Sequence, residues 1–394
     1  MTSRSVLQCC VAMVFALPGL ALGQIYAMMN YETKSPDSLK VLKNPVASGP
    51  RKEGIAVIDV DPKSKTFGVI VQDLPIAPDF MAHHIFYNKD MSKIYVTSLG
   101  KTQMGVIDMH KTPYKMKVVE VPDCQVGEDV VFSDDNKRFY LSCMGNQTVV
   151  IGDAVRDKPT KSVKVGAPYP HGVAIHEGID RMLTTSTVRA SDGGDPGEVI
   201  SEVELSTGKL LKNYKVSNKP SPSGEAPVEV LFVPGVEPPL AYITNLYGGT
   251  LWMARWNTDK RAFDVSQAHD FAAQSSGVAL EMYFNTSRDR MYVTTGKPGG
   301  VHIFDTSGGN LMSPKLIKTI PAAEGSHHVA FTKDGRYAYV QNTLLNLPGL
   351  SDGSVTVIDM KEGKQIASMD TLKLKGLNPN CMVLLPKWND MAGH

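Results

Sequence analysis

Two stretches of this chain carry the same alternation of apolar and polar positions. One is Ala82-His83-His84-Ile85-Phe86-Tyr87-Asn88-Lys89-Asp90-Met91-Ser92-Lys93-Ile94-Tyr95-Val96. The other is Ser326-His327-His328-Val329-Ala330-Phe331-Thr332-Lys333-Asp334-Gly335-Arg336-Tyr337-Ala338-Tyr339-Val340. Each predicts a strand, a tight polar turn carrying Lys-Asp, and a second strand ending on Tyr-Val, which together make a β-hairpin. Both open on a histidine pair.

The second-strand motif recurs seven times, at Ile25-Tyr26-Ala27-Met28, Ile94-Tyr95-Val96-Thr97, Phe139-Tyr140-Leu141-Ser142, Met182-Leu183-Thr184-Thr185, Ala241-Tyr242-Ile243-Thr244, Met291-Tyr292-Val293-Thr294 and Ala338-Tyr339-Val340-Gln341. After most copies a Gly-bearing turn leads to a third strand ending near Asp, as in Val355-Thr356-Val357-Ile358-Asp359, and then to a more irregular fourth. Four antiparallel strands in roughly 45 to 60 residues, repeated around a ring, predict an all-β, seven-bladed β-propeller, whose radial closure protects its sheet edges. The ends predict how the ring closes. The strand Asn380-Cys381-Met382-Val383-Leu384-Leu385 has no hairpin partner after it, and Ile25 has no inner strand before it. The seventh blade should therefore take its inner strand from the C-terminus and the other three, 25–29, 54–60 and 67–74, from the N-terminus.

The motifs Tyr-Val-Thr-Ser (95–98), Tyr-Ile-Thr-Asn (242–245) and Tyr-Val-Thr-Thr (292–295) resemble those of the YVTN-type seven-bladed propellers. The resemblance covers essentially all of the chain after its N-terminal segment and implies the fold, which hosts enzymes, electron-transfer partners and binding modules alike.

Before that repeat, Arg4, the apolar run Val11–Leu22 and Ala21-Leu22-Gly23 read as a cleaved signal peptide over 1–23, leaving 24–394 as one propeller domain exported to the periplasm or secreted. The apolar run is too short for a stable membrane span. With 41 Lys plus Arg against 40 Asp plus Glu, the chain has no basic field to hold a nucleic acid. Cys124 precedes the second blade and Cys143 ends its second strand, so the two are expected to form a disulfide closing about 20 residues, leaving Cys381 as the free thiol of the exported protein. Asn146-Gln147-Thr148 and Asn285-Thr286-Ser287 fit a glycosylation pattern that is common by chance.

Aligning the inner strands on the position of Phe331 gives two rings of residues. The first is His83, Glu128, His171, Val228, Leu280, His327 and Asn380; the next residue in each blade is His84, Asp129, Gly172, Glu229, Glu281, His328 and Cys381. Inner strands start on one face of a propeller, so both rings should converge on one mouth of the central channel. Five of the chain's 10 histidines lie in them, where they would either line a hydrated channel or hold a metal. Imidazole is the commonest side-chain ligand of copper, zinc and iron. Metal ligands are expected at His83, His84, His171, His327 and His328, with Glu281, Glu229 and Glu128 as the acid–base or ligand-orienting carboxylates. A calcium-assisted lactonase using Glu128, Asp129, Glu229 and Glu281 is a competing assignment. His110, His176, His269, His302 and His394 are expected at the surface or in packing roles: His176 past its inner strand, His302 in a third strand, His110 and His269 in connections. The loops 189–198 and 343–353 are long for a compact fold and belong on the histidine face.

The paired-histidine strands and Pro170-His171-Gly172 resemble the secreted copper propeller enzymes: nitrous oxide reductase, thiocyanate dehydrogenase and the selenium-binding or methanethiol oxidase family. The resemblance implies copper and oxidation or reduction of a small molecule, with a periplasmic electron-transfer protein as partner. The chain lacks the cupredoxin domain of nitrous oxide reductase and has fewer histidines than a tetranuclear cluster uses, which implies a smaller site. The competing expectation is a non-catalytic YVTN-type propeller that binds a protein or ligand on the same face. No nucleophile elbow, phosphate-cradling glycine loop or haem-attachment motif is present.

Overall fold

In a computed structural model, residues 24–34 and 52–390 are described. The signal segment, the cleavage site and His394 lie outside these residues. Twenty-eight strands form seven four-stranded antiparallel sheets, with only short 3-10 turns among the described residues. The chain is a seven-bladed β-propeller. Blades 1 to 6 are consecutive, with inner strands Ala82–Tyr87, Gly127–Phe132, Pro170–His176, Pro227–Phe232, Gly277–Phe284 and Ser326–Phe331.

Blade 7 closes the ring as the sequence predicts. Its inner strand Leu377–Leu384 pairs with Tyr26–Thr33, which continues to Glu53–Asp59 and Ile70–Ile76. Two cores seal this blade to its neighbours. Tyr26, Met28 and Ile55 pack with Ile85, Tyr87 and Ile94 of blade 1. Met29, Ala56 and Leu384 pack with Tyr339, Val355 and Val357 of blade 6.

The repeated hairpins are in the expected register: Ile85 faces Val96 in blade 1, and Val329 faces Val340 in blade 6. Tyr95, Tyr140, Tyr242 and Tyr339 of the repeated motif are fully buried between blades, where large aromatics contribute most packing area. Two minor placements differ from expectation. His176 is the last residue of its inner strand, and His269 lies inside the outer strand Ala262–Asp270 rather than in a connection. In both cases the alternating pattern runs further than the turn residues beside it indicate.

Every blade breaks register at the same place. The pairing shifts between Ala82 and Ile85, Gly127 and Val130, Pro170 and Val173, Pro227 and Val230, Ala279 and Met282, and Ser326 and Val329. The two residues skipped in each blade are the two ring residues. In blade 7 the shift leaves Asn380 unpaired between Pro379 and Cys381. Such β-bulges leave residues outside the ladder and re-aim their side chains.

Candidate metal centre

In a regular strand successive side chains point to opposite faces. The bulge removes that constraint, so adjacent histidines lie together: the rings of His83 and His84 stack at 4.0 Å, and those of His327 and His328 lie 4.1 Å apart.

The bulged amides are not left bare. His84 N donates to Thr97 Oγ1 (3.0 Å), Asp129 N to Ser142 Oγ (3.0 Å), Gly172 N to Thr185 Oγ1 (2.9 Å), Glu229 N to Thr244 Oγ1 (3.3 Å) and Glu281 N to Thr294 Oγ1 (3.0 Å). In the last two blades amide oxygens take over: His328 N donates to Gln341 Oε1 and Cys381 N to Asn30 Oδ1. Five of these side chains also donate to a carbonyl of the next blade: Ser142 to His171 O, Thr185 to Val228 O, Thr244 to Leu280 O, Gln341 to Pro379 O and Asn30 to Ala82 O. In blades 1 to 6 the polar residue of the Tyr-Val-Thr motif therefore fixes the bulge, with Asn30 taking that part in blade 7, and in five of the seven blades the same side chain ties the bulge to its neighbour. Sequence reasoning missed this role, although the motif itself was its signal.

All five predicted histidines meet at the axis, each buried. His84 is central, its ring centre 4.8 Å from that of His328, 5.6 Å from His171 and 6.2 Å from His327. Their ligand atoms form two groups in which all lie within 4.8 Å of one another: His83, His84, Glu128 and His171; and His84, His327 and His328. Neither ring nitrogen of His84 has a hydrogen-bond partner. Burial, and then the neighbouring imidazoles, hold its pKa well below the usual histidine value; burial also lowers His327, against the opposing pull of Glu281.

The three predicted glutamates divide into two roles. Glu128 joins the first group, with Oε2 3.1 Å from His83 Nε2 and 3.5 Å from His171 Nε2. Burial alone would raise its pKa, but His83 and His171 outweigh it and hold the carboxyl below its usual range. Glu229 and Glu281 belong to neither group: Glu229 Oε1 lies 2.9 Å from His171 Nδ1, and Glu281 Oε1 lies 3.2 Å from His327 Nε2 and 3.7 Å from His328 Nδ1. Asp129 Oδ2 accepts from the backbone amide of Val173 (2.9 Å).

Among the described residues, the remaining histidines stay outside both groups. His302 is buried between Thr295 and Thr319, with ring nitrogens 2.9 Å from each hydroxyl, and burial pushes its pKa down to about 4. His269 meets Gln274 and packs on Phe271 and Phe304, while His110 is exposed.

A chamber opens above the centre. His83, Glu128, His171 and His327 form its polar part; Leu99, Met144, Val228, Leu246 and Leu280 form apolar wall. Both long loops contribute, through Val188, Ala190 and Gly193 and through Leu344, Leu345 and Leu347. Tyr247 braces the first loop with a hydrogen bond to Gly193 O (2.7 Å). Cys124 and Cys143 are joined as a disulfide at the start of blade 2, and Cys381 is a buried free thiol.

No protein-family model and no curated protein matches the chain. Among solved structures it is similar to a hypothetical selenium-binding protein from Sulfolobus tokodaii, at 14% identity over 93% of this chain and 95% of that one, with a TM-score of 0.71. It is similar to hydrazine synthase of Kuenenia stuttgartiensis, at 14% identity over 78% of this chain and 90% of that one (TM-score 0.57). A functionally unknown protein from Desulfotomaculum acetoxidans matches at 13% identity over 86% of this chain and 95% of that one (TM-score 0.59). At such identities the likeness establishes the shared propeller fold.

Proposed function

We propose that the chain is an exported, metal-dependent oxidoreductase that binds copper at the axial histidines and acts on a small molecule, exchanging electrons with a periplasmic carrier protein. One observation carries the reading: His84 is buried among four other histidines with both ring nitrogens unpartnered. Buried polar atoms without partners are costly, and proteins keep them where something else binds. The YVTN-type repeat supplies the scaffold, and fold neighbours include a selenium-binding protein and hydrazine synthase.

The residues fit the group. His83, His84, His171, His327 and His328 would hold copper, with Glu128 able to complete the set. Copper bound there supplies one-electron redox chemistry. The protein's own contribution is orientation and proton control. Glu229 Oε1 stands 2.9 Å from His171 Nδ1, which leaves Nε2 as the atom that would ligate. Glu128, at the chamber wall between His83 and His171, is the group placed to take or return a proton of the bound substrate. The same contacts favour copper over calcium. Calcium prefers six to eight oxygen ligands, whereas here Glu229 and Glu281 point at imidazoles and Asp129 caps a backbone amide.

The test is metal content of untagged protein reconstituted with copper and desalted. Replacing any one of the five axial histidines by Ala should lower bound copper substantially, while His110→Ala and His269→Ala should not. Copper should also leave on acidification, at a pH lower than ordinary histidines would set, because ligating imidazoles must be neutral and burial holds the pKa of His84 and His327 down. Wild-type copper content in the axial variants would defeat the reading.

A further inference from the structure

The two ligand groups share one residue, and that residue is bound unlike the others. A histidine that ligates one metal normally uses one nitrogen and donates the other N–H to a carboxylate, carbonyl or water. The others have a carboxylate close to a ring nitrogen: Glu229 Oε1 is 2.9 Å from His171 Nδ1, and Glu281 Oε1 is 3.2 Å from His327 Nε2 and 3.7 Å from His328 Nδ1. His84 has no such support: both its nitrogens are buried and neither meets a hydrogen-bond partner. Its ring is stacked on His83 and lies 4.8, 5.6 and 6.2 Å from the rings of His328, His171 and His327, so it touches members of both groups.

We propose that the axis holds two metal ions bridged by the imidazole ring of His84, one nitrogen to each. The inference rests on the metal-centre reading above and adds its nuclearity. Assigned this way, the first ion has four protein donors, from His83, His84, Glu128 and His171, and the second has three, from His84, His327 and His328. Three donors leave an open position, as catalytic metal sites do. A single ion would leave one group empty and one nitrogen of His84 buried with nothing to bind. Bridging requires His84 to lose its ring proton, because the neutral ring offers only one lone pair and the anion offers two. Loading the second ion therefore releases one proton more than loading the first through neutral ligands.

The experiment uses the untagged chain from residue 24, titrated with copper(II), desalted, and assayed for copper by elemental analysis and for paramagnetic copper by electron paramagnetic resonance. The expected result is two copper ions per chain, with spin well below the chemical copper because an imidazolate bridge couples the two ions antiferromagnetically. His327→Ala should bind one copper with its full spin visible, since the four-donor group stays intact. His84→Ala should lose the coupling, with any remaining copper fully visible. Thermal melts of the metal-free variants check that each is folded, and the wild-type measurement is decisive without them. One copper per chain, or two copper ions with full independent spin, overturns the bridge and leaves the metal-centre reading standing. No copper overturns that reading itself.

Discussion

Thr185 tests whether the bulges, rather than the strands, build the centre. Its hydroxyl accepts from Gly172 N at 2.9 Å and donates to Val228 O at 2.8 Å, joining the bulge of blade 3, which carries His171, to that of blade 4, which carries Glu229. The residue is buried. Thr185→Val keeps the shape and removes both bonds. Each stranded backbone group costs about 1–3 kcal/mol, and the added methyl returns about 0.8 kcal/mol, so the net loss should be roughly 1–5 kcal/mol. Thr185→Ser keeps the hydroxyl and loses one methyl group, a loss of about 1 kcal/mol. Apolar content alone ranks the two the other way. Urea denaturation of metal-free protein with chelator present measures the difference, and calorimetry should show a fall in Tm of roughly 1–6 °C for the valine variant. Copper affinity should follow the same order, because His171 and its partner Glu229 sit on the two loosened bulges. A valine variant as stable as the serine variant would show that the hydroxyl bridge does not hold the bulge.

Two further outcomes are expected. His302, with its pKa pushed down to about 4 by burial, stays neutral in the fold while an unfolded histidine protonates near 6.5. Its contribution is therefore whole above pH 6.5 and is lost progressively down to about pH 4, some 3 kcal/mol in all, and His302→Gln should flatten that part of the urea-midpoint profile. Deleting residues 378–394 removes most of the inner strand of blade 7, stripping Tyr26–Thr33 of its partner and uncovering the core it shares with blade 6. The truncated chain should aggregate or lose cooperative unfolding; one that melts as sharply as the full chain refutes the closure.

The fold was legible because its signals are local. Alternating apolar residues, a Lys-Asp turn and Tyr-Val at fixed spacing specify a hairpin, and seven of them leave few architectures. The two rings were legible because every blade aligns on one apolar position. What the pattern hid was how neighbours such as His83 and His84 could share a site, since strand alternation separates them. The bulge that reunites them is marked by Thr97, Ser142, Thr185, Thr244, Thr294, Gln341 and Asn30, polar strand residues with no shared signature. The separation of Glu128, which joins a ligand group, from Glu229 and Glu281, which join neither, was illegible for another reason: it depends on side-chain direction from near-equivalent positions. The histidines left outside the groups were readable as a class, yet His176 and His269 were placed a few residues wrong at strand ends, where alternation fades into turns.

The ring is repetitive in backbone and polarised in side chains, and the polarity explains how the centre is kept ready. Histidines come from blades 1, 3 and 6. Blade 7, between 6 and 1, contributes only Asn380 and Cys381, short side chains that let His84 and His328 approach to 4.8 Å. Blades 4 and 5 present Val228 and Leu280 to the chamber, and the loops of blades 3 and 6 cover it with Val188, Leu344 and Leu347. This apolar cover withholds water from the imidazoles, and the resulting burial is the largest cause of the lowered pKa of His84 and His327. Neutral imidazoles are what a metal needs, so one physical cause both shelters the ligands and prepares them. The same burial makes the unpartnered nitrogens of His84 a standing cost of the metal-free fold. On the proposed reading, metal binding removes that cost in the native state alone, so at a fixed excess of metal it should raise the stability of the propeller with the logarithm of its affinity for the site.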